Sequence, residues 1–193
     1  TIHSGDREFG VPDEYPLKAA GWRVDEKGKK YIRVKGVRWY TNIDHGRRHH
    51  PLELMTMADN IKYSKHKEVK GKQYSVYDNF EAIEVPYTDA IPKDYDDIMG
   101  VPITFLDKYY PEQFEIVGIT KTWFGMATKV FPKQIQVSKT GKKSVVTKLN
   151  DGAAIEVDRP IEGDVYYIVD GKYYTQAYAR ILIRKKSKSK YST

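Results

Sequence analysis

An α+β fold dominated by antiparallel β-strands and hairpins, with few short helices, is what this 193-residue sequence predicts. Three observations predict it. Asp170-Gly171 separates two apolar-rich runs and is a strong short-range hairpin signal. Gly141, within Lys139-Thr140-Gly141-Lys142, separates two more such runs. Pro12, Pro16, Pro86, Pro92 and Pro111 interrupt the chain often enough to forbid long helices across those stretches.

Residues 1–30 are rich in Gly, Pro and charge, and residues 25–29 form a hairpin turn between runs 21–24 and 30–34. Val37, Trp39 and Thr41 then alternate with Arg38, Tyr40 and Asn42, the period of a half-buried strand ending at Asn42. Turn formers follow through Gly46, and Pro51 stops any regular strand. Residues 52–60 suit a helix or a strand. Residues 62–73 carry Lys62, Lys65, Lys67, Lys70 and Lys72 and read as an exposed basic loop, with or without a nucleic-acid contact. Residues 78–95 give a short strand followed by loops, residues 105–109 a turn of helix, and residues 114–119 a clear strand. Runs 134–137 and 144–147 pair as one hairpin, and runs 165–169 and 172–183 as another. The simplest organisation is one domain over residues 1–183, with a frayed basic tail over 184–193.

The totals narrow the function classes. With 40% hydrophobic and 31% charged residues the chain is globular rather than disordered, and no apolar run reaches the roughly 20 residues of a membrane span. Residues 1–10 lack the apolar segment of a signal peptide, and the missing initiator Met suggests a fragment or a processed chain. Zero cysteines exclude disulfides, thiolate metal sites and a thiol nucleophile, and are compatible with a cytoplasmic location.

The net charge of +7 is modest but unevenly spread. Acids dominate residues 78–115, where only Lys93 and Lys108 oppose them. Residues 120–150 contain no acid at all, but carry Lys121, Lys129, Lys133, Lys139, Lys142, Lys143 and Lys148. Lysines without nearby carboxylates suit a polyanion, and binding would release counterions. Trp123, Phe124 and Phe131 lie among them and are expected in the core.

A second basic centre is Arg47-Arg48-His49-His50. Adjacent guanidinium groups make a fork for phosphate or for a guanine edge, although a solvated basic turn has the same composition. Asp44, His45, His49 and His50 could be taken for metal ligands, but Gly46 opposes the helix that would align His45 with His49. No zinc-hydrolase spacing is present, so no metal is expected. Asp94, Asp96 and Asp97 could hold magnesium or act as acid and base, but their setting favours a turn with a helix cap.

The stretch 37–52, reading VRWYTNIDHGRRHHPL, together with Tyr77-Asp78-Asn79-Phe80-Glu81-Ala82-Ile83-Glu84-Val85, resembles the EcoRI-type adenine-specific DNA methyltransferases. So do Ile91-Pro92-Lys93-Asp94-Tyr95-Asp96, then Met99-Gly100-Val101-Pro102-Ile103-Thr104-Phe105-Leu106-Asp107-Lys108-Tyr109, then Gln113-Phe114-Glu115-Ile116-Val117-Gly118. These phrases keep one order over most of residues 30–120, and Tyr178-Ala179-Arg180-Ile181-Leu182-Ile183 adds to them. Tyr110 departs from the pattern, which expects Asn before the proline.

The resemblance covers only the C-terminal half of such an enzyme. It implies a parent chain, belonging to a restriction-modification system, that transfers a methyl group from S-adenosylmethionine to the exocyclic amine of adenine in double-stranded DNA. Such an enzyme needs a Gly-rich cofactor loop and an Asn-Pro-Pro-aromatic motif for the flipped base. None of the nine prolines precedes another, and no glycine cluster makes the loop. The resemblance therefore implies a target-recognition piece that is inactive alone and has no cofactor of its own, its partner being a missing N-terminal methyltransferase domain. Residues 1–50 would edge that domain's sheet. The candidate DNA contacts are Asn42, His45, Arg47, Arg48 and His49 with the seven lysines of 121–148. A self-contained nucleic-acid-binding module, or a specificity subunit without enzymatic activity, is the alternative.

Overall fold

A computed structural model of the chain describes residues 2–18, 21–39, 44, 46–159 and 163–186. The chain divides into two compact units, Thr1–His45 and Gly46–Thr193.

In the first unit, β1 (Ile2–Val11), β2 (Trp22–Val24) and β3 (Lys30–Trp39) form an antiparallel sheet in the order β1-β3-β2. The expected hairpin closes on one carboxylate. Asp25 Oδ1 accepts from the backbone N–H of Lys27 at 3.0 Å and Lys29 at 2.9 Å, while Gly28 takes φ 80°. Strand β1 lies beyond the sequence reading, because register shifts around Gly5 mask its period of two.

Ile32 pairs with both Phe9 and Trp22, so Phe9, Val11, Trp22, Val24, Ile32 and Val34 share one face of this sheet with Arg7 and Lys30. Phe9, Trp22, Val24 and Val34 are exposed there. The opposite face is charged. Arg23 bonds Glu8 at 2.9 Å and lies over the Tyr31 ring at 4.2 Å.

The second unit holds two sheets. One has four strands in the order β4 (Ile83–Glu84), β5 (Met99–Pro102), β12 (Arg180–Lys185) and β6 (Phe114–Ile119), with only β4 and β5 parallel. The other is antiparallel, in the order β8 (Lys143–Val146), β7 (Gln134–Val137), β10 (Tyr166–Val169), β11 (Lys172–Gln176) and β9 (Ala154–Val157). The predominance of antiparallel strands agrees with the sequence reading. Residues 172–183 are not one strand, however. Strand β11 ends at Gln176, Ala177 bonds back to Ala153, and β12 starts in the other sheet, pairing Ile181 with both Val101 and Ile119.

Residues 52–60 resolve into extended chain followed by the short helix α1 (Met57–Tyr63). Thr56 Oγ1 accepts from the Asp59 N–H at 3.0 Å and donates to the Asp59 carboxylate at 2.6 Å. Asp94 Oδ1 accepts the Met57 N–H at 2.7 Å, so this carboxylate does cap a helix, though one far back in sequence.

Apolar clusters fill each layer. Val85, Ile91, Met99, Val101, Phe105 and Phe114 pack under the four-stranded sheet, where Phe105 meets Phe114 edge-on at 5.4 Å. Phe131, Leu149, Tyr167, Val169 and Tyr174 line the inner face of the five-stranded sheet. Tyr77, Phe80, Ala82, Ala153 and Leu182 join the two.

Buried polar groups fix how the sheets meet. Asn79 donates from Nδ2 to Gly152 O at 3.0 Å and accepts the Ala154 N–H at Oδ1 at 2.8 Å. Arg180 reaches Glu84 with Nε at 3.0 Å, and Nη2 completes a fork on the same carboxylate, to which the Tyr77 hydroxyl also donates. Burial and the adjacent Glu84 charge push the Tyr77 hydroxyl well above the ordinary tyrosine range. Burial works against the Arg180 cation, but its bonds to Glu84 outweigh that and hold it above its usual value. Gly100 lies under the Tyr77 ring, where any Cβ would collide with the phenol.

Among the described residues, no helix is long and apolar enough to cross a membrane.

Candidate nucleic-acid interface

Strands β7 and β8 form a ribbon at the open edge of the five-stranded sheet, with β8 outermost. Its turn is built by Ser138, whose N–H donates to Lys142 O at 2.9 Å and whose Oγ accepts the Lys142 N–H at 3.1 Å. Gly141 supplies φ 79°. This short turn concentrates Lys139, Lys142 and Lys143 at one tip, all exposed. Exposed Lys133 precedes β7, and exposed Lys148 follows β8 in the 3₁₀ turn Lys148–Asp151. No side chain of these five lysines has an ion pair or hydrogen bond among the described residues. Lysines also protect sheet edges from further pairing, which is the simplest structural use of such an edge.

Two lysines of the same stretch are engaged instead. Lys129 forms an ion pair with Asp78 and lies 4.6 Å over the Phe131 ring. The Asp78 hydrogen bond holds its ammonium above the ordinary lysine range. Lys121 Nζ donates to the Asp151 carbonyl at 2.5 Å.

The aromatic residues correct the sequence reading. Phe131 is buried at 3% exposure, as expected, but Trp123 is 77% exposed and Phe124 46%. Both sit on the 3₁₀ turn Thr122–Phe124, which is too short to turn three successive side chains inward. Tyr178, 88% exposed in the link between β11 and β12, was assigned to a strand and missed as a surface ring. The break in apolar alternation at Ala177-Tyr178-Ala179 was the available signal.

The other basic centre begins the second unit, where Gly46–His49 forms a 3₁₀ turn carrying the backbone of Arg47 and Arg48. The Arg47 and Arg48 side chains, and all of Asn42 and His45, lie outside the described residues. His49 is exposed. The turn is fastened downstream by Gln113, which accepts the Leu52 N–H at 2.7 Å and donates to Leu52 O at 2.9 Å, as a partner strand would. Gln113 had no assigned role in the sequence reading. A cavity of about 340 Å³ adjoins the turn, lined by His50, Leu52, Asp89 and Lys108 among others. Among the described residues, no group of three His, Asp or Glu side chains is placed to hold a metal ion.

A family model described as "Adenine-specific methyltransferase EcoRI" matches residues 1–186. The type II methyltransferase M.EcoRI of Escherichia coli is 41% identical over 113 residues, 58% of this chain and 32% of the relative. M.MgeORF184P of Mycoplasma genitalium is 35% identical over 112 residues, 56% of this chain and 32% of the relative. M.MpnI of Mycoplasma pneumoniae is 33% identical over 94 residues, covering 49% and 27%. The matched part of the chain therefore spans about a third of the length of these relatives. No solved structure matches significantly.

Proposed function

Because the chain belongs to the EcoRI adenine-specific methyltransferase family, we propose that it is the DNA-gripping, C-terminal part of such an enzyme. Lys133, Lys139, Lys142, Lys143 and Lys148 neutralise phosphates. Asn42, His45, Arg47, Arg48 and His49 position the duplex and read it. The observation that carries this reading is the lysine-tipped ribbon, whose cations have no carboxylate partner among the described residues. Lys129 and Lys121 hold the loops instead.

S-adenosylmethionine, which the family implies, does not fit what is described. A Gly-rich loop from a parallel strand into a helix would be needed, whereas β4 and β5 run on into Val85-Pro86 and the 3₁₀ turn Ile103–Lys108. The cofactor and the transfer step belong, in this proposal, to the rest of the parent chain. The exposed apolar face of the β1–β3 sheet supports such a partner, since Phe9, Trp22, Val24 and Val34 together suit packing against another layer.

The test is a duplex titration across salt concentrations, with calorimetry of S-adenosylmethionine alongside. A steep negative slope of log K on log salt with no cofactor heat is expected. A flat slope overturns the DNA reading, and a measurable heat overturns the placement of the cofactor.

A further inference from the structure

We infer that Trp123 and Tyr178 form a stacking platform for unpaired nucleic-acid bases. This rests on the DNA reading above and deepens it.

The two rings are exposed on segments that are themselves tied down. Phe124 anchors the first turn: a Cβ at Gly118 would collide with its ring and with Met126 Sδ, so that glycine leaves the space they fill. Gly125 closes the turn with φ 86° and an N–H bond to Thr122 O at 3.1 Å. The Thr122 hydroxyl bonds to Asn150 O. Trp123 therefore stands out from a braced turn, with its ring 6.1 Å from Phe124 and inclined to it by 67°.

Tyr178 is braced similarly. Ala177 donates to Ala153 O at 2.9 Å, and Arg180 donates to Thr120 Oγ1 at 2.9 Å while accepting from the Thr120 N–H at 3.0 Å. Segments 120–124, 148–153 and 177–180 thus hold one another. Both rings stay in solvent, so this fold forgoes the apolar burial they could supply. The chain leads directly from Trp123 into the lysine-tipped ribbon, through residues that carry no acid. Exposed flat rings suit bases, and every base offers a face whatever its sequence.

The full chain carrying Trp123→Ala, Tyr178→Ala, Trp123→Phe or Tyr178→Phe is titrated with a fluorescent single-stranded oligonucleotide and with its fully paired duplex. Each alanine should weaken single-strand binding about tenfold. Phenylalanine should restore most of it, and the salt slope should stay unchanged because no phosphate contact is lost. Tryptophan fluorescence should be quenched on binding in the wild type, and not in Trp123→Phe. Unchanged single-strand affinity with a steep wild-type salt slope overturns the platform and leaves the DNA reading standing. A wild type that binds neither oligonucleotide sinks both. If an alanine variant fails to fold by circular dichroism, the quenching lost in Trp123→Phe decides.

Discussion

Replacing Lys139, Lys142 and Lys143 together by Gln removes the cations at the tip of the β7–β8 ribbon while keeping polar side chains there. If all five lysines of the ribbon and its flanks meet phosphates, their share of the wild-type slope of log K on log salt is about −4.5. Through that share affinity falls about 500-fold between roughly 50 and 200 mM salt. The triple variant retains Lys133 and Lys148, so the share drops to about −1.8 and the same salt change costs only about 12-fold through it. The fold should survive, because these side chains are exposed and the turn is held by Ser138 and Gly141. Fluorescence anisotropy of a labelled duplex at four salt concentrations measures both slopes, and thermal melting checks folding. Equal slopes for folded wild type and variant would refute the reasoning, because the cations would then be edge protection alone.

Other outcomes follow from the same geometry. Lys129→Gln should leave the salt slope unchanged and lower stability by less than about 1 kcal/mol, read as a small loss in urea midpoint, since Lys129 itself is half-exposed. Arg180→Met should cost about 3–5 kcal/mol by leaving the Glu84 charge in the sheet without its cationic partner, measured by urea unfolding. A loss below about 1 kcal/mol would mean that water already reaches the pair. Gly100→Ala should be strongly destabilising through its collision with Tyr77, and Tyr77→Phe in the same chain should relieve part of that loss. Burial pushes the Tyr74 hydroxyl up to about 12 from its ordinary 10.0. The unfolded chain therefore loses this proton first, so stability should be flat below about pH 10 and fall as pH rises towards 12. Urea midpoints that stay constant across that window would contradict this.

What the sequence determined by itself was local. Asp170 and Gly171 adopt φ 48° and 78°, as an Asp-Gly hairpin turn requires, and the turns at residues 25–29 and 138–142 close through their own side chains. The phrases that carried the family resemblance were legible too, yet the tasks of their residues were not. Asn79 links the sheets, Gln113 fastens the basic turn, Gly100 makes room for Tyr77, and Arg180 pairs with Glu84.

Tertiary structure alone decided the rest. Lys129 was indistinguishable in sequence from Lys139, but Asp78 lies against only one of them, from 51 residues away. Trp123 and Phe131 looked alike as aromatic residues among lysines. One was placed on a braced turn in solvent and the other under Tyr174. The switch of sheets between β11 and β12 depends on which strands stand free to pair with Ile181. Turn dihedrals are set by neighbouring side chains, whereas burial and charge pairing are set by whichever distant segment packs alongside.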